Sequence, residues 1–257
     1  MGALLAEAGR KAVRVRHGVP VLMYHLVSDD VPPAFRKYTV TPARFRHQVA
    51  TLVRLGVTAI SPDDLLAARQ GRRRLPHRPV VITFDDGFRD CLRHAAPVLH
   101  AAGLTATMYV VAGLLGSTSR WMHRPEGLDL PLVSLAEARE LEQAGIECQS
   151  HALTHPRLVP LDRAATAHEL DTSRQVLQDA LGHEVRHLAY PYGSFDERVQ
   201  AQAREAGYRT AFTTQPGKTL PVDDAWAMPR VKVDGTERSG DFVARLLTGR
   251  HLGHPLR

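Results

Sequence analysis

The sequence has little cysteine, few aromatic residues and no long apolar run. Its 257 residues include two cysteines, Cys91 and Cys148, which excludes a disulfide framework and a zinc finger and leaves at most one disulfide. Aromatic residues make up 6% of the chain. The most apolar stretch, residues 101–116, is interrupted by Gly103 and Gly113, and a spanning helix needs roughly 18 to 20 unbroken apolar residues. We therefore predict no transmembrane segment.

Internal repeats and linkers rich in glycine, proline or serine are also missing. The hydrophobic fraction of 44% and the charged fraction of 23% are typical of a globular protein, and a chain of this length can bury a sizeable core. These features argue against intrinsic disorder and against a solenoid. We predict one domain over residues 18–240, with an N-terminal extension, 1–17, and a C-terminal tail, 241–257.

The formal net charge of +6 raises the question of an acidic partner such as nucleic acid. The excess consists of scattered arginines, and the one compact run, Arg72–Arg74, lies beside Gly71 and Pro76 in a predicted loop. No aromatic residues alternate with these charges, as they do in proteins that bind single strands. We interpret the charge as a solvated basic face and expect no nucleic-acid partner. Binding to nucleic acid would show a steep dependence on salt concentration.

The first 18 residues place a short apolar patch and Glu7 before the basic residues, which reverses the order of a secretory signal. Read as it stands, the sequence predicts a cytoplasmic protein. A trimmed leader would leave the same pattern, so peripheral attachment or export by another route stays open.

Short apolar runs alternate with helical patterns along the chain. Val80–Phe84 is typical of a buried strand, and helices are predicted to begin at capping signals at Thr41, Ser61 and Ser134. Another helix is predicted around residues 88 to 102. This alternation implies a parallel sheet, either open or closed. Because seven or eight strand candidates fall within about 235 residues, we predict an α/β fold, an irregular (β/α) barrel of about seven or eight parallel strands.

Side chains with catalytic chemistry cluster where the predicted strands end. They are His25, the adjacent Asp85 and Asp86, and the pair His151 and His155. In parallel α/β folds the active site lies at the carboxyl ends of the strands. Taken alone, the aspartates also fit a helix N-cap, and a histidine pair can arise by chance among 14 histidines.

Taken together, these residues indicate a metal site. One carboxylate and two imidazoles leave an open position for water, which is typical of a catalytic rather than a structural divalent metal. The other carboxylate would then lie beside that water and take its proton. Pro156 favours a loop for the histidine pair. Zinc is the metal we expect, and cobalt, nickel and iron also suit this donor set.

Three successive motifs resemble those of the NodB-homology polysaccharide deacetylases, carbohydrate esterase family 4. They are Thr83–Gly87 (TFDDG), Ser150–His155 (SHALTH) and Tyr190–Gly193 (YPYG), and the resemblance covers roughly residues 18 to 235. It implies a distorted (β/α) barrel and metal-dependent hydrolysis of an acetamide, usually on N-acetylglucosamine.

The resemblance also implies roles for individual residues. Asp86, His151 and His155 match the family's metal ligands, and Asp85 matches its general base. The backbone N–H of Tyr192 matches the donor that helps to bind the oxyanion in the transition state.

Two features depart from the family pattern. Ala189 stands where the family commonly has the arginine that orients the base, and the C-terminal leucine-x-x-histidine motif is missing, since His251 and His254 fit it badly. Both departures resemble the branch of bacterial poly-N-acetylglucosamine deacetylases, whose opening motif is similar to Met23–His25. In that branch the N-terminal histidine is the general acid, so His25 is the candidate here. A structural histidine at a strand end is the alternative.

Other residues are candidates for supporting roles. Arg230, next to the last predicted strand, is the best replacement for the missing arginine, with a solvated surface arginine as the alternative. Tyr24, Trp121 and Trp226 are candidates for stacking against a sugar ring, although core packing is the commoner role of large aromatic side chains.

The predicted function is removal of N-acetyl groups from an N-acetylglucosamine-type oligomer or polymer by metal-activated water. One alternative keeps the site and changes the bond, as in an O-acetyl esterase or a deformylase of lipid-linked sugars. Another is a non-catalytic carbohydrate-binding protein, which the presence of both aspartates and both histidines argues against. The sequence gives no indication of the oligomeric state.

Overall fold

The computed structural model describes residues 18–30, 33–123, 127–237 and 239–249. The predicted N-terminal extension, 1–17, and the two late histidines, His251 and His254, lie outside the described residues. Within the described part, no helix is both long enough and apolar enough to cross a membrane.

Ten strands are described, and seven of them close into a parallel barrel. In chain order the strands are β1 (Val21–Tyr24), β2 (Leu26–Val27), β3 (Thr39–Val40), β4 (Thr58–Ala59), β5 (Pro79–Phe84), β6 (Ala106–Val110), β7 (Ile146–Ser150), β8 (His187–Ala189), β9 (Thr210–Pro216) and β10 (Met228–Lys232). The barrel runs β1-β10-β9-β8-β7-β6-β5 and closes where β5 pairs with β1. β4 pairs with the start of β5, and β2 and β3 form a separate ribbon. The predicted barrel of parallel strands is confirmed.

Seven α-helices are described around the barrel. They are α1 (Pro42–Arg54), α2 (Pro62–Arg69), α3 (Ala96–Ala101), α4 (Leu135–Gln143), α5 (Arg163–Leu181), α6 (Glu197–Glu205) and α7 (Ser239–Thr248). The three predicted caps are confirmed, because Thr41, Ser61 and Ser134 each accept a hydrogen bond from the backbone N–H three residues later.

The helix expected around residues 88 to 102 is shorter and less regular than predicted. Cys91–Ala95 forms a π-helical turn, and the α-helical part begins only at Ala96. Pro97 accounts for the change, since proline has no N–H to donate to the preceding turn and its ring crowds that turn.

Residues 239–248 belong to the packed structure. Phe242 and Leu246 of α7 are buried in the main hydrophobic cluster, so the predicted tail, 241–257, begins inside a helix. Residues 250–257 lie outside the described part of the chain.

Alternate residues along the strands face two different cores. Leu22 and Tyr24 of β1 belong to the large cluster between the barrel and its helices. Val21, in contrast, belongs to a smaller cluster with Tyr109 and Phe212 from strands across the barrel. The smaller cluster fills part of the barrel interior. The barrel therefore has no continuous pore, and functional side chains can face solvent only at one of its ends.

Candidate active site

A cleft of about 390 Å³ opens at the carboxyl ends of the barrel strands. Six of the seven predicted site residues line it, and the seventh, Arg230, is buried directly behind one of them. The six are His25, Asp85, Asp86, His151, His155 and Tyr192.

Asp86, His151 and His155 converge on one point of the cleft. Asp86 Oδ1 lies 3.3 Å from His151 Nε2 and 3.1 Å from His155 Nε2, and the three side chains are buried. Asp86 and His155 both have positive φ angles, 74° and 66°, which turn the chain sharply after β5 and after β7. These sharp turns place the histidine pair in a loop, as Pro156 indicates.

The donor atoms fit a divalent cation. His151 Nδ1 lies 2.7 Å from the Ala189 carbonyl oxygen and donates a proton to it, which fixes the ring so that Nε2 faces Asp86. An oxygen and two imidazole nitrogens lie within 4.8 Å of one another, and they form the one such cluster among the described residues. Burial raises the pKa of Asp86, but the hydrogen bonds of His151 and His155 outweigh this effect and hold the pKa well below its usual value. The ionised carboxylate suits a metal ligand.

Arg230 holds Asp85 in a bidentate ion pair. Nη1 donates to Oδ1 at 2.7 Å and Nη2 donates to Oδ2 at 2.6 Å. The guanidinium is fixed in turn, because Nε donates to the Thr213 carbonyl at 2.9 Å and Nη1 also donates to Thr83 Oγ1 at 3.2 Å. Both members of the pair are buried, so the carboxylate has one orientation.

The charge of Arg230 also keeps Asp85 ionised. Burial raises the pKa of Asp85, but the nearby guanidinium of Arg230 and its hydrogen bonds outweigh burial and lower the pKa below its usual value. Each carboxylate oxygen accepts one hydrogen bond from Arg230 and retains a second lone pair. Asp85 is therefore a charged, fixed proton acceptor beside the cluster of metal-ligand atoms.

His25 directly follows β1 and Asp85 directly follows β5, and because these two strands pair in parallel with Tyr24 opposite Phe84, His25 and Asp85 are neighbours at the end of the barrel. Its ring centroid is 5.2 Å from that of Tyr38. Burial lowers the pKa of His25, and the carboxylates of Asp86 and Asp85 reduce the shift without reversing it. The imidazole is therefore predominantly neutral near pH 7.

Tyr192 projects from a tight turn at the edge of the cleft. Its φ of 59° lies in the left-handed region, and the residue is 43% exposed. The next residue, Gly193, has a φ of 64°, and a Cβ there would lie 2.2 Å from Thr214 Oγ1. A residue with a Cβ would clash with Thr214 at position 193. The turn that carries Tyr192 therefore requires a glycine there.

The three aromatic candidates have different surroundings. Trp121 lines the cleft and stacks on His155, with ring centroids 4.3 Å apart and an interplanar angle of 26°. Tyr24 is instead buried in the main core, where it stacks on Phe84. Trp226 packs against that core outside the cleft, and its Nε1 donates to the Tyr208 carbonyl. Tyr24 and Trp226 therefore pack against the core, the commoner role of large aromatic side chains, and neither lines the cleft.

Other residues of the site were not predicted from the sequence. Lys232 and Arg157 line the cleft, with Lys232 Nζ 4.5 Å from the Tyr38 ring centroid and the Arg157 guanidinium 4.4 Å from that of Tyr192. A signal was available for Lys232, which stands two residues after Arg230 on a strand and therefore faces the same side. For Arg157, which follows the histidine motif in an irregular loop, no periodic pattern exists.

The family is shown by comparison with known proteins. The polysaccharide deacetylase family model matches residues 72–211, more than half of the chain. The chain belongs to the polysaccharide deacetylase family. A putative polysaccharide deacetylase, YxkH of Bacillus subtilis, is 26% identical over 215 residues, which cover 84% of this chain and 71% of that protein.

Other members of the family extend the similarity. The poly-beta-1,6-N-acetyl-D-glucosamine N-deacetylase of Staphylococcus epidermidis is 23% identical over 254 residues, 91% of this chain and 85% of that protein. The solved structure of IcaB from Ammonifex degensii superposes with a TM-score of 0.75 at 25% identity, and the match covers 90% of this chain and 96% of that one. The resemblance, the barrel and the hydrolase class of this polysaccharide deacetylase are confirmed.

Proposed function

We propose that this polysaccharide deacetylase removes N-acetyl groups from an N-acetylglucosamine-type oligomer or polymer. The observation that carries the proposal is the pairing of two different aspartates in one cleft. Asp85 is locked by Arg230 as a proton acceptor, and Asp86 lies with two histidines as a ligand set. The similarity to a poly-beta-1,6-N-acetyl-D-glucosamine N-deacetylase over 91% of the chain supports this choice of substrate.

The ligand set fits a divalent cation, and we propose zinc. Asp86, His151 and His155 would hold it, since a carboxylate and two neutral imidazoles are common zinc ligands and leave one position open. Zinc supplies a Lewis acid that polarises a carbonyl and lowers the pKa of water.

The side chains of this protein manage the protons of the reaction. Asp85 removes a proton from the attacking water through a lone pair that Arg230 leaves available. The water oxygen bonds to the acetamide carbon, and the C–N bond then breaks to give acetate and an amine. The amine nitrogen needs a proton as it leaves, and His25 is the proposed donor. The proton that Asp85 takes from water and the proton that the amine receives balance over the turnover.

The developing oxyanion needs a fixed donor. We assign this role to the backbone N–H of Tyr192, because Gly193 and Thr214 fix the turn at the edge of the cleft. A donor of this kind, already in place before the reaction, typically contributes on the order of 3 kcal/mol to stabilisation of the transition state.

The proposal is tested by measuring acetate release and bound metal on the same preparations. The substrate is a β-1,6-linked N-acetylglucosamine oligomer, and the proteins are wild type, Asp85→Asn and His155→Ala. The exposed Glu205→Gln serves as the matched control for loss of a carboxylate. We expect Asp85→Asn to keep its metal and lose turnover, His155→Ala to lose both, and Glu205→Gln to keep both.

Other substrates separate the alternatives in the same assay. An O-acetylated xylan fragment and an N-formylated lipid-linked sugar are offered in parallel with the acetamide. Faster turnover of the ester or the formamide would replace the proposed substrate and keep the site. A wild-type protein that binds no metal when zinc is supplied would overturn the hydrolytic mechanism and favour a carbohydrate-binding role.

A further inference from the structure

The loop between the two histidine ligands has an unusual backbone. Ala152 and His155 both have positive φ angles, 63° and 66°, and neither is a glycine. Such conformations are costly for residues with a Cβ and persist only where surrounding contacts hold them. The position of the His155 ring relative to His151 therefore depends on what anchors residues 152–155.

Glu169 of helix α5 supplies that anchor. Its Oε2 accepts hydrogen bonds from the backbone N–H groups of Leu153 and Thr154, each at 2.9 Å. Its Oε1 accepts from Thr154 Oγ1 at 2.5 Å. Glu169 is 8% exposed, and none of the ion pairs among the described residues includes it. The buried carboxylate is satisfied by the loop alone.

Glu169 belongs to a polar stripe on the buried face of α5. Thr166, Glu169 and Ser173 are buried at positions i, i+3 and i+7, where a helix packed on a barrel ordinarily presents apolar side chains. Ser173 Oγ lies 2.6 Å from Ser150 Oγ, which also accepts the Ala152 N–H at 3.3 Å. The helix thus holds the loop at its start through Ser173 and at its centre through Glu169.

We propose that Glu169 is a positioning residue for the metal site: it fixes the loop that sets the spacing of His151 and His155. This inference rests on the proposed metal-dependent function. Glu169 touches neither histidine ring in the hydrogen-bond network and acts through the backbone of Leu153 and Thr154. A leucine at this place would be less costly to bury than a carboxylate but could accept no hydrogen bond from the loop. Changes to such supporting groups typically weaken metal affinity tenfold to a hundredfold.

The test is the dissociation constant for zinc, measured by competition with a chromophoric chelator at a temperature where each variant is folded. Glu169→Ala removes all three hydrogen bonds, and we expect a Kd for zinc about 10 to 100 times higher. Glu169→Gln retains an oxygen for the two N–H groups and an amide that can donate to Thr154 Oγ1, so we expect a Kd within about threefold of wild type. Asp171→Ala, an exposed carboxylate of the same helix, is the matched control and should bind zinc as wild type does.

Two further readouts keep the test decisive. Thr154→Ala removes only the hydroxyl contact and should raise the Kd for zinc by about threefold, which decides the matter if Glu169→Ala does not fold. Amide hydrogen exchange at Leu153 and Thr154 should accelerate in Glu169→Ala at unchanged exchange of the barrel strands. Zinc binding by Glu169→Ala and Thr154→Ala within twofold of wild type would overturn the role of Glu169 and leave the proposed function intact. Absence of zinc binding in wild type would overturn both.

Discussion

Arg230 holds Asp85 in a bidentate ion pair, in which Nη1 donates to Oδ1 at 2.7 Å and Nη2 donates to Oδ2 at 2.6 Å. The two residues are 145 positions apart and come from β10 and from the end of β5, the two neighbours of β1. The family resemblance assigns the orienting arginine to the position that Ala189 occupies on β8. Here a buried arginine reaches the same carboxylate from a different strand.

Replacing this arginine by lysine is expected to impair turnover with little effect on metal binding. Arg230→Lys retains a positive charge but cannot make two parallel hydrogen bonds, so Asp85 loses its fixed orientation. We expect kcat for acetate release to fall about 100-fold, as is typical of small displacements of a catalytic group. Metal content measured on the same samples should stay near that of wild type. A kcat within threefold of wild type would contradict the assigned role.

Removal of the metal is expected to abolish activity and lower thermal stability. Asp86, His151 and His155 are buried with their donor atoms facing one another, so a bound cation would stabilise the folded state by an amount that grows with the logarithm of its affinity. Dialysis against a chelator should therefore lower Tm and stop acetate release, and added zinc should restore both. In Asp86→Ala the chelator should leave Tm unchanged. A wild-type Tm that does not respond to chelation would argue against the ligand set.

Trp121 and Trp226 are expected to affect substrate binding differently. Trp121 forms a wall of the cleft against His155, whereas Trp226 lies outside it. Loss of an aromatic contact is worth about 0.5 to 1.5 kcal/mol, so Trp121→Ala should raise KM for the oligomer by about two- to tenfold. Trp121→Phe should recover most of this loss, and Trp226→Phe should leave KM unchanged. An equal effect of Trp121→Ala and Trp226→Phe on KM would contradict the assignment.

Asp63, at the start of α2, is expected to make stability depend on pH. His187 Nε2 lies 3.3 Å from Asp63 Oδ1 and Arg186 Nη1 lies 2.5 Å from Oδ2, and together they hold the pKa of Asp63 far below its usual value. A carboxylate with a lowered folded-state pKa contributes stability above its unfolded pKa of about 3.9, and this contribution is lost as the pH falls toward the folded value.

Asp63→Asn should therefore lower the free energy of unfolding by about 1 to 3 kcal/mol at pH 7. Below about pH 4 the difference from wild type should shrink, because the unfolded wild type then takes up a proton on Asp63 that the folded protein does not bind. Urea unfolding at pH 7, 5 and 3 measures this difference, with the exposed Asp171→Asn as control. A difference that stays constant from pH 7 to pH 3 would show that the charge of Asp63 is not responsible.

Patterns that are local in the chain predicted much of the fold. The caps at Thr41, Ser61 and Ser134 depend on a side chain and a backbone N–H three residues apart, and all three form. The π-helical turn before Pro97 and the two-residue strands were not predicted, because an imperfect turn or a very short strand has no periodic pattern of its own.

The candidate site likewise contains residues that were predictable from the sequence and contacts that were not. The sequence by itself determined that Asp85, Asp86, His151 and His155 follow buried strands, and parallel strands bring their carboxyl ends to one rim. Only the tertiary structure decided that Arg230 reaches Asp85 and that Glu169 holds the histidine loop. Both contacts join residues that are distant in the chain, through the closure of the barrel and the packing of a helix on it. The spacing of residues along the sequence does not specify which pairs of distant polar side chains and backbone groups come into contact in the folded protein.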